Sequence, residues 1–214
     1  MQRMNASIAP RRVDVEGVDV LYWIKEDSGA FVGPLQDWKK SSKKIMSQCK
    51  GFNTVIQAGG NCGMYPRFYG NHFINVYTFE PDSLNYLCLD LNCIGSKYRK
   101  FYGGLGDNTN RLSLKRHALS NCGMHRIDTK PGNIEMFRID DLSIVECDLI
   151  HLDVEGFEEQ ALRGGEKTIK KYKPVVVLEH GGRQQPMGHE YILSLKYEVY
   201  SRERMDTIYI PKEK

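Results

Sequence analysis

The sequence predicts a doubly wound α/β fold, with a mostly parallel sheet and one antiparallel strand in a C-terminal β-hairpin. Short, almost entirely apolar runs recur from residue 54 onward and alternate with stretches of helical spacing, which is typical of parallel strands buried on both faces. A glycine-rich turn directly follows the first of these runs. The closing segment "EVYSRERMDTIYI" reads as two strands around a polar turn. Together these observations favour a Rossmann-like sheet over an all-helical or all-β fold.

Residues 1–50 differ in composition from the rest of the chain. The segment "GVDVLYWIKEDSGAFVGPLQDW" mixes aromatic residues with glycine and proline, which predicts a short strand or hairpin before a helix near 36–50. We therefore expect an N-terminal extension over 1–50 and a main domain over 51–214. Its aromatic residues Trp23, Phe31 and Trp38 are expected to pack on the flank of the sheet or, as the alternative, to form a lid over the site.

The strand and helix predictions follow the chain in order. Strands are expected at 54–58, 75–79, near residue 100, 147–154 and 175–179. Between the second and third strands, Leu84, Leu87, Cys88 and Leu91 recur with helical spacing, and Pro81 suits the first turn of that helix. Further helices are expected at "EEQALRGG", "EKTIKKYK" and "YILSLKY", and short strands with polar turns at "RLSLKRHALS" and "IEMFRI".

Composition narrows the classes of function. The chain has 214 residues and a net charge of +3, which is too small by itself to indicate a nucleic-acid partner. Its six cysteines contain no C-x-x-C pair, so we expect reduced thiols rather than a zinc site or a disulfide framework. No apolar run approaches the roughly 18 residues of a membrane span. We therefore expect a cytoplasmic protein without a membrane partner.

The turn after the first strand predicts a ligand site. Gly59, Gly60 and Gly63 lie at the carboxyl end of that strand, where doubly wound sheets bind ligands. Glu80 ends the next strand, 21 residues after Gly59, at the position from which an acid binds the hydroxyls of a ribose. The alternative is that the glycine turn is structural and that Glu80 caps the following helix. The absence of G-x-G-x-x-G and of G-x-x-x-x-G-K-[ST] argues against a dinucleotide or P-loop site.

Four segments carry a resemblance to a known family: "VIQAGGNCG", "FEPD", "DLIHLDVEGFEEQALRGG" and "KPVVVLEH". They resemble FkbM-type S-adenosylmethionine-dependent methyltransferases, which have the class I methyltransferase fold, and the likeness extends roughly from residue 52 to 210. The resemblance implies S-adenosyl-L-methionine as the cofactor and methylation of a hydroxyl on a sugar, glycan or small molecule. Two positions depart from the family pattern, because Gln57 replaces the usual Asp and His151 replaces a frequent Lys.

The resemblance and the glycine loop together predict the cofactor-binding residues. They are Gln57, Gly59, Gly60, Asn61, Gly63, Glu80, Pro81, Leu105 and Asp107. Gln57 keeps an acceptor oxygen but lacks the charge of the usual acid, so we expect it to contact the cofactor less strongly than an acid would.

The predicted catalytic residues are Asp153, Glu155, Glu179 and His180. Methyl transfer to a hydroxyl requires removal of its proton, by a base or with the help of a metal. Either Asp153 is the base, or Asp153 and Glu155 bind a divalent cation such as Mg²⁺ or Mn²⁺. Positions i and i+2 of an extended chain face the same side. Glu179 and His180 form a second acid and base pair at the end of the following strand. Helix capping by Glu155 and a solvent-facing His180 are the alternatives.

Two other classes of function stay open from the sequence. A nucleic-acid methyltransferase is the first, although the [DN]-P-P-[YF] and Pro-Cys signatures of such enzymes are absent. A module that binds S-adenosylmethionine without chemistry is the second. The identity of the acceptor and the oligomeric state cannot be read from the sequence.

Overall fold

A computed structural model describes residues 6–15, 18–29, 35–181 and 183–212, with the backbone alone for 14–15 and 35–40. The strands are β1 (Ile8–Val15), β2 (Val18–Ile24), β3 (Thr54–Ala58), β4 (Asn75–Glu80), β5 (Tyr98–Tyr102), β6 (Gly104–Leu105), β7 (Arg111–Lys115), β8 (Arg126–Pro131), β9 (Ile134–Phe137), β10 (Leu149–Leu152), β11 (Val175–Glu179), β12 (Tyr197–Arg202) and β13 (Asp206–Pro211). The α-helices are α1 (Leu35–Gln48), α2 (Met64–Tyr69), α3 (Ser83–Asn92), α4 (Glu158–Arg163), α5 (Glu166–Tyr172) and α6 (His189–Ser194). Two 3₁₀ helices cover Leu119–Met124 and Ile139–Asp141.

The main sheet has seven strands in the order β12-β13-β11-β10-β3-β4-β5. Neighbouring strands from β11 to β5 pair in parallel, whereas β13 pairs antiparallel with both β11 and β12. This arrangement confirms the predicted fold class, a doubly wound sheet with an antiparallel strand in a C-terminal hairpin.

The central strands are the most apolar part of the molecule. Every side chain of β3, β10 and β11 is buried, because helices cover both faces of the sheet. Each fully buried Val, Leu or Ile contributes about 1.5–3 kcal/mol relative to exposure. The sheet is therefore a rigid support for the loops that follow its strands.

The N-terminal segment shares the hydrophobic core of the main sheet. Leu21 and Trp23 of β2 are buried in the same cluster as Val55 of β3. The β1–β2 hairpin is also tied to α3, since the Tyr22 N–H donates to Asn92 Oδ1 and Asn92 Nδ2 donates to the Tyr22 carbonyl, both at 2.7 Å. Trp23 is buried in this cluster and also borders the cavity described below, so it has features of both expected alternatives. Phe31 and the Trp38 side chain lie outside the described residues.

Residues 104–137 form a second, smaller sheet in the order β6-β9-β7-β8. The two short strands expected in this region correspond to β7 and β9, and the structure adds β6 and β8. Among the described residues, no helix combines the length and the apolar character that a membrane crossing requires.

Candidate active site

A cavity of about 480 Å³ opens at the carboxyl edge of the parallel strands. Its walls come from the turn after β3, the ends of β4, β10 and β11, and the start of β13. The antiparallel direction of β13 brings its first residues to this edge. The volume lies within the usual range for small-molecule sites, roughly 300–1,000 Å³.

The glycine turn fits tightly between two strands. Gly59 has φ +79°, and a Cβ atom at this residue would lie 1.7 Å from the Asp153 carbonyl oxygen. The N–H groups of Gly59 and Gly60 both donate to the Phe79 carbonyl, at 3.1 and 2.9 Å. Only glycine fits this position, because the backbone after β3 lies directly against the backbone after β10.

Glu80 is held at the end of β4 by backbone donors. Its Oε2 accepts from the Asn61 N–H at 2.7 Å, and its Oε1 accepts from the Asp82 N–H at 2.8 Å. Burial raises the pKa of Glu80 to about 7, despite these two hydrogen bonds. Glu80 borders the cavity, and Asp82, not Glu80, caps α3 by accepting from the N–H groups of Leu84 and Asn85.

Four carboxylates converge at the other side of the cavity. Oxygen atoms of Asp153, Glu155 and Glu179 lie within 4.8 Å of one another. Asp206 pairs with Glu179 across β13 and β11 and is itself buried. Desolvation and the neighbouring charges raise the pKa of Asp153 well above its usual range and those of Glu155 and Asp206 to about 7. The four residues therefore form an acidic cluster that is partly protonated near neutral pH.

Asp153 and Glu179 lie close together in this cluster. Desolvation raises the pKa of both residues, and the neighbouring charge of Glu179 raises that of Asp153 further. Two acids so close together do not both ionise readily, so the pair retains a proton at a pH where isolated carboxyl groups are ionised.

Comparison with known proteins identifies the family. The sequence profile of the Methyltransferase FkbM domain matches residues 55–202. The chain belongs to the FkbM methyltransferase family. No protein with curated annotation matches the chain at a significant level.

Solved structures agree with the FkbM fold. The methyltransferase FkbM from Methylobacillus flagellatus KT has a TM-score of 0.55 at 22% identity, over 74% of this chain and 43% of that one. The tRNA (uracil-54, C5)-methyltransferase of Pyrococcus abyssi, in complex with S-adenosyl-L-homocysteine, has 0.50 at 11%, over 95% and 43%. Trm5b of Pyrococcus abyssi has 0.54 at 11%, over 96% and 55%. This chain therefore spans less than half of the first two proteins, and at these identities the likeness concerns the fold alone.

Gln57 of this FkbM domain lies behind the glycine turn and does not border the cavity. Its Nε2 donates to the carbonyls of Ala58 and Gly59, at 3.2 and 3.0 Å, and its Oε1 accepts from Thr78 Oγ1 at 2.9 Å. The structure therefore does not place Gln57 at the cavity that other predicted cofactor-binding residues border. Gln57 is fully buried, and it orders the turn from the side of the sheet.

The other predicted cofactor residues divide into two groups. Those that border the cavity are Gly59, Gly60, Asn61, Glu80, Pro81 and Leu105. Gly63 instead begins α2 with φ +93°. Asp107 is exposed beside Asn108 and borders a separate pocket, so the structure does not bring it to the main cavity.

The structure brings three of the four predicted catalytic residues to the cavity. Asp153, Glu155 and Glu179 border the cavity, but His180 does not, and its Nε2 lies 3.1 Å from the Glu203 carbonyl. Strand β10 ends at Leu152, before the expected 154, so Glu155 reaches the cluster through a turn in which it has φ +53°. The sequence predicted that Glu155 would face the same side as Asp153 because side chains alternate along an extended strand, but this alternation is not what brings Glu155 to the cluster.

Glu155 does not cap α4. Glu158 closes the turn before this helix, because its Oε1 accepts from the N–H groups of Val154 and Gly156, at 3.3 and 3.1 Å. The carboxylate of Glu155 is thereby left for the cluster.

The sequence reasoning missed two parts of the site. The first is Asp206, whose position follows from the pairing of β13 with β11. The second is a cover over the cavity formed by the 3₁₀ helix Leu119–Met124. The N-terminal segment holds this cover, since Asp27 Oδ1 accepts from the Cys122 N–H at 3.2 Å and Oδ2 accepts from Trp23 Nε1 at 2.7 Å. No local sequence pattern indicated the position of Asp206 or the presence of this cover.

His151 is a core residue. Its Nδ1 lies 2.7 Å from the Tyr69 hydroxyl, and burial lowers its pKa to about 3. The imidazole is therefore neutral at physiological pH and does not supply the charge of the Lys that it replaces.

Proposed function

We propose that this domain transfers a methyl group from S-adenosyl-L-methionine to a hydroxyl of a sugar, glycan or other small molecule. The observation that carries the proposal is a single cavity with Glu80 at one side and the acidic cluster at the other. Family membership supports the methyl transfer and the cofactor.

The residues around Glu80 fit the nucleoside part of the cofactor. Each oxygen of Glu80 accepts one backbone N–H, and a carboxylate has about four acceptor sites in total, so acceptor capacity is left for two ribose hydroxyls. Gly59 and Gly60 border the same cavity without side chains, which permits close approach of a ligand to the backbone. When bound, the cofactor supplies a methyl group that is already activated on a sulfonium.

The acidic cluster fits the removal of a hydroxyl proton. Methyl transfer forms a carbon–oxygen bond and breaks a carbon–sulfur bond, and the hydroxyl proton must leave. The pair of Asp153 and Glu179 can accept it, and a base with a raised pKa is well matched to neutral pH. The proton then passes to water through the open cavity.

The charge of the cavity favours a small acceptor over a nucleic acid. The described acidic residues on its wall are Glu80, Asp153, Glu155, Glu179, Glu203 and Asp206, against the basic residues His125 and Arg204. Phosphate backbones bind surfaces that are rich in lysine and arginine, and this wall has the opposite balance. The tRNA (uracil-54, C5)-methyltransferase among the similar structures shares the fold alone.

The deciding experiment measures S-adenosylhomocysteine formation with panels of sugars, nucleotide sugars, glycans and polyols, beside RNA and DNA. We expect turnover with a hydroxyl compound and methyl incorporation on its oxygen. Methylation of RNA or DNA only, or on nitrogen, would contradict the O-methylation proposal. Tight binding of S-adenosylmethionine with no turnover across all panels would instead favour the non-catalytic binding module.

A further inference from the structure

We propose that Asp153, Glu155 and Glu179 bind one divalent cation, Mg²⁺ or Mn²⁺, beside the acceptor end of the cavity. One oxygen of each residue lies within 4.8 Å of the other two. Six-coordinate Mg²⁺ binds oxygens at about 2.0–2.1 Å, which places them roughly 3–4 Å apart. Small side-chain movements would therefore complete the arrangement.

Glu179 provides a second, independent observation. Its side chain is only 7% exposed, yet its Oε2 has no hydrogen-bond partner. Buried polar atoms are nearly always paired, and an unpaired carboxylate oxygen is especially unfavourable. A cation between Glu179 and its two neighbours would supply the missing partner.

The charges around the cluster also favour a cation. Asp206 of β13 adds a fourth carboxylate next to Glu179. The positive groups that act on Glu155 are Arg183, Arg126 and His117. Among the described residues, no lysine or arginine forms an ion pair with any of the four acids. Arg183 lowers the pKa of both Glu155 and Glu179, but it forms no ion pair with either of them within that part of the chain.

The type of ligand selects the type of cation. Three carboxylates and no sulfur or imidazole are typical of hard cations such as Mg²⁺ and Mn²⁺, and not of zinc. Three protein ligands leave coordination positions for water or an acceptor oxygen, and all three residues border the cavity. The catalytic meaning of the site rests on the proposed function, but cation binding itself does not.

The test is titration of chelator-treated protein with Mn²⁺, followed by calorimetry and by electron paramagnetic resonance of free Mn²⁺. We expect one Mn²⁺ per chain and competition by Mg²⁺. Glu179→Gln should weaken Mn²⁺ binding by about tenfold or more, the scale of damage to a metal site. Glu80→Gln is the matched control, because it alters another buried carboxylate of the same cavity and should leave Mn²⁺ affinity unchanged.

The two variants should show opposite behaviour toward S-adenosylmethionine: Glu80→Gln loses affinity and Glu179→Gln retains it. Wild-type protein that binds S-adenosylmethionine but neither Mn²⁺ nor Mg²⁺ would overturn the cation site and leave the proposed function intact. Wild-type protein that binds Mn²⁺ but not S-adenosylmethionine would overturn the proposed function alone. Circular dichroism checks folding, and Glu155→Gln at a partly exposed position replaces Glu179→Gln if that variant does not fold. Unchanged Mn²⁺ affinity in a folded variant of either glutamate would also overturn the site.

Discussion

Glu80 accepts hydrogen bonds from the backbone N–H groups of Asn61 and Asp82. One substitution tests its proposed role at the cofactor site. Glu80→Gln keeps the size of the side chain but removes the charge and presents an N–H₂ group to a backbone donor. We expect S-adenosylmethionine affinity to fall by about 2–3 kcal/mol, the scale of hydrogen bonds to a charged group, or roughly a hundredfold. Calorimetry measures the change. An unaltered dissociation constant would remove Glu80 from the cofactor site.

The pKa of Glu80 also predicts how stability depends on pH. Burial raises this pKa to about 7, so the folded protein binds the proton more tightly than the unfolded chain. The stabilisation is complete below the unfolded pKa, about 4.3, and is lost as pH rises through about 7. Glu80→Gln does not undergo this loss. Its free energy of unfolding, relative to that of the wild type, should therefore rise by about 1–3 kcal/mol from pH 5 to pH 8. Urea unfolding of ligand-free protein at both pH values tests this, and an equal difference at both would contradict it.

Gln57 illustrates how the surroundings of a buried side chain constrain its replacement. Its amide donates to two carbonyls and accepts from Thr78 Oγ1. Gln57→Asp removes both donors and buries a charge, so the free energy of unfolding should fall by about 2–4 kcal/mol. Gln184→Asp at an exposed position is the control, with an expected change near zero. Similar unfolding curves for the two variants would argue against this role of Gln57.

At the scale of elements, the strands of the parallel sheet were predictable because burial on both faces leaves an uninterrupted apolar run. Strand β8 was not, since "RIDTKP" has neither an apolar run nor alternation, and its position depends on pairing with β7. The end of β10 was also missed by two residues. After it the chain turns at Glu155 and Gly156, which have positive φ, and Glu158 closes this turn.

The turn after β3 packs against the backbone after β10, and a substitution at Gly59 tests this contact. Gly59→Ala would place a Cβ 1.7 Å from the Asp153 carbonyl oxygen, so β3 and β10 could not keep their separation. We expect a loss of about 2–4 kcal/mol in unfolding free energy, typical of severe backbone strain and overpacking, and weaker S-adenosylmethionine binding.

A second glycine separates backbone strain from the steric clash. Gly95 has φ +116°, and a Cβ added there would meet no atom within 4 Å. Gly95→Ala should therefore cost only the conformational strain, about 1–2 kcal/mol, and leave cofactor binding unchanged. Equal effects of the two substitutions in thermal unfolding would show that the contact with Asp153 is unimportant.

At the scale of the molecule, the site is an assembly of distant segments. The glycine turn and Glu80 were found from sequence because they follow strands at a recognisable spacing. Asp206 reaches the cluster only because β13 runs antiparallel beside β11, and Asp27 reaches Cys122 only because the N-terminal hairpin packs on α3. No local pattern encodes such contacts, so the cover and the fourth carboxylate needed the tertiary structure.

Asp153 separates an enzyme from a binding module. Asp153→Asn keeps the shape of the side chain but removes its titratable carboxyl group, so the pair with Glu179 can no longer share a proton. In an enzyme, turnover on a confirmed acceptor should fall by about 10²–10⁴, the usual contribution of a positioned acid or base, while S-adenosylmethionine affinity falls less. Single-turnover methyl transfer and calorimetry measure the two effects on one preparation.

Chelation then distinguishes two ways in which Asp153 can act. If a chelator abolishes wild-type turnover and added Mg²⁺ or Mn²⁺ restores it, Asp153 acts as a metal ligand. If the chelator has no effect, Asp153 and Glu179 act directly on the proton. Glu179→Gln should then reduce turnover as strongly as Asp153→Asn, because either change leaves the pair without its shared proton. Residues that act as one unit give such non-additive losses, so the double variant should be no slower than either single variant. Full turnover by Asp153→Asn would restrict Asp153 to a structural role at the end of β10.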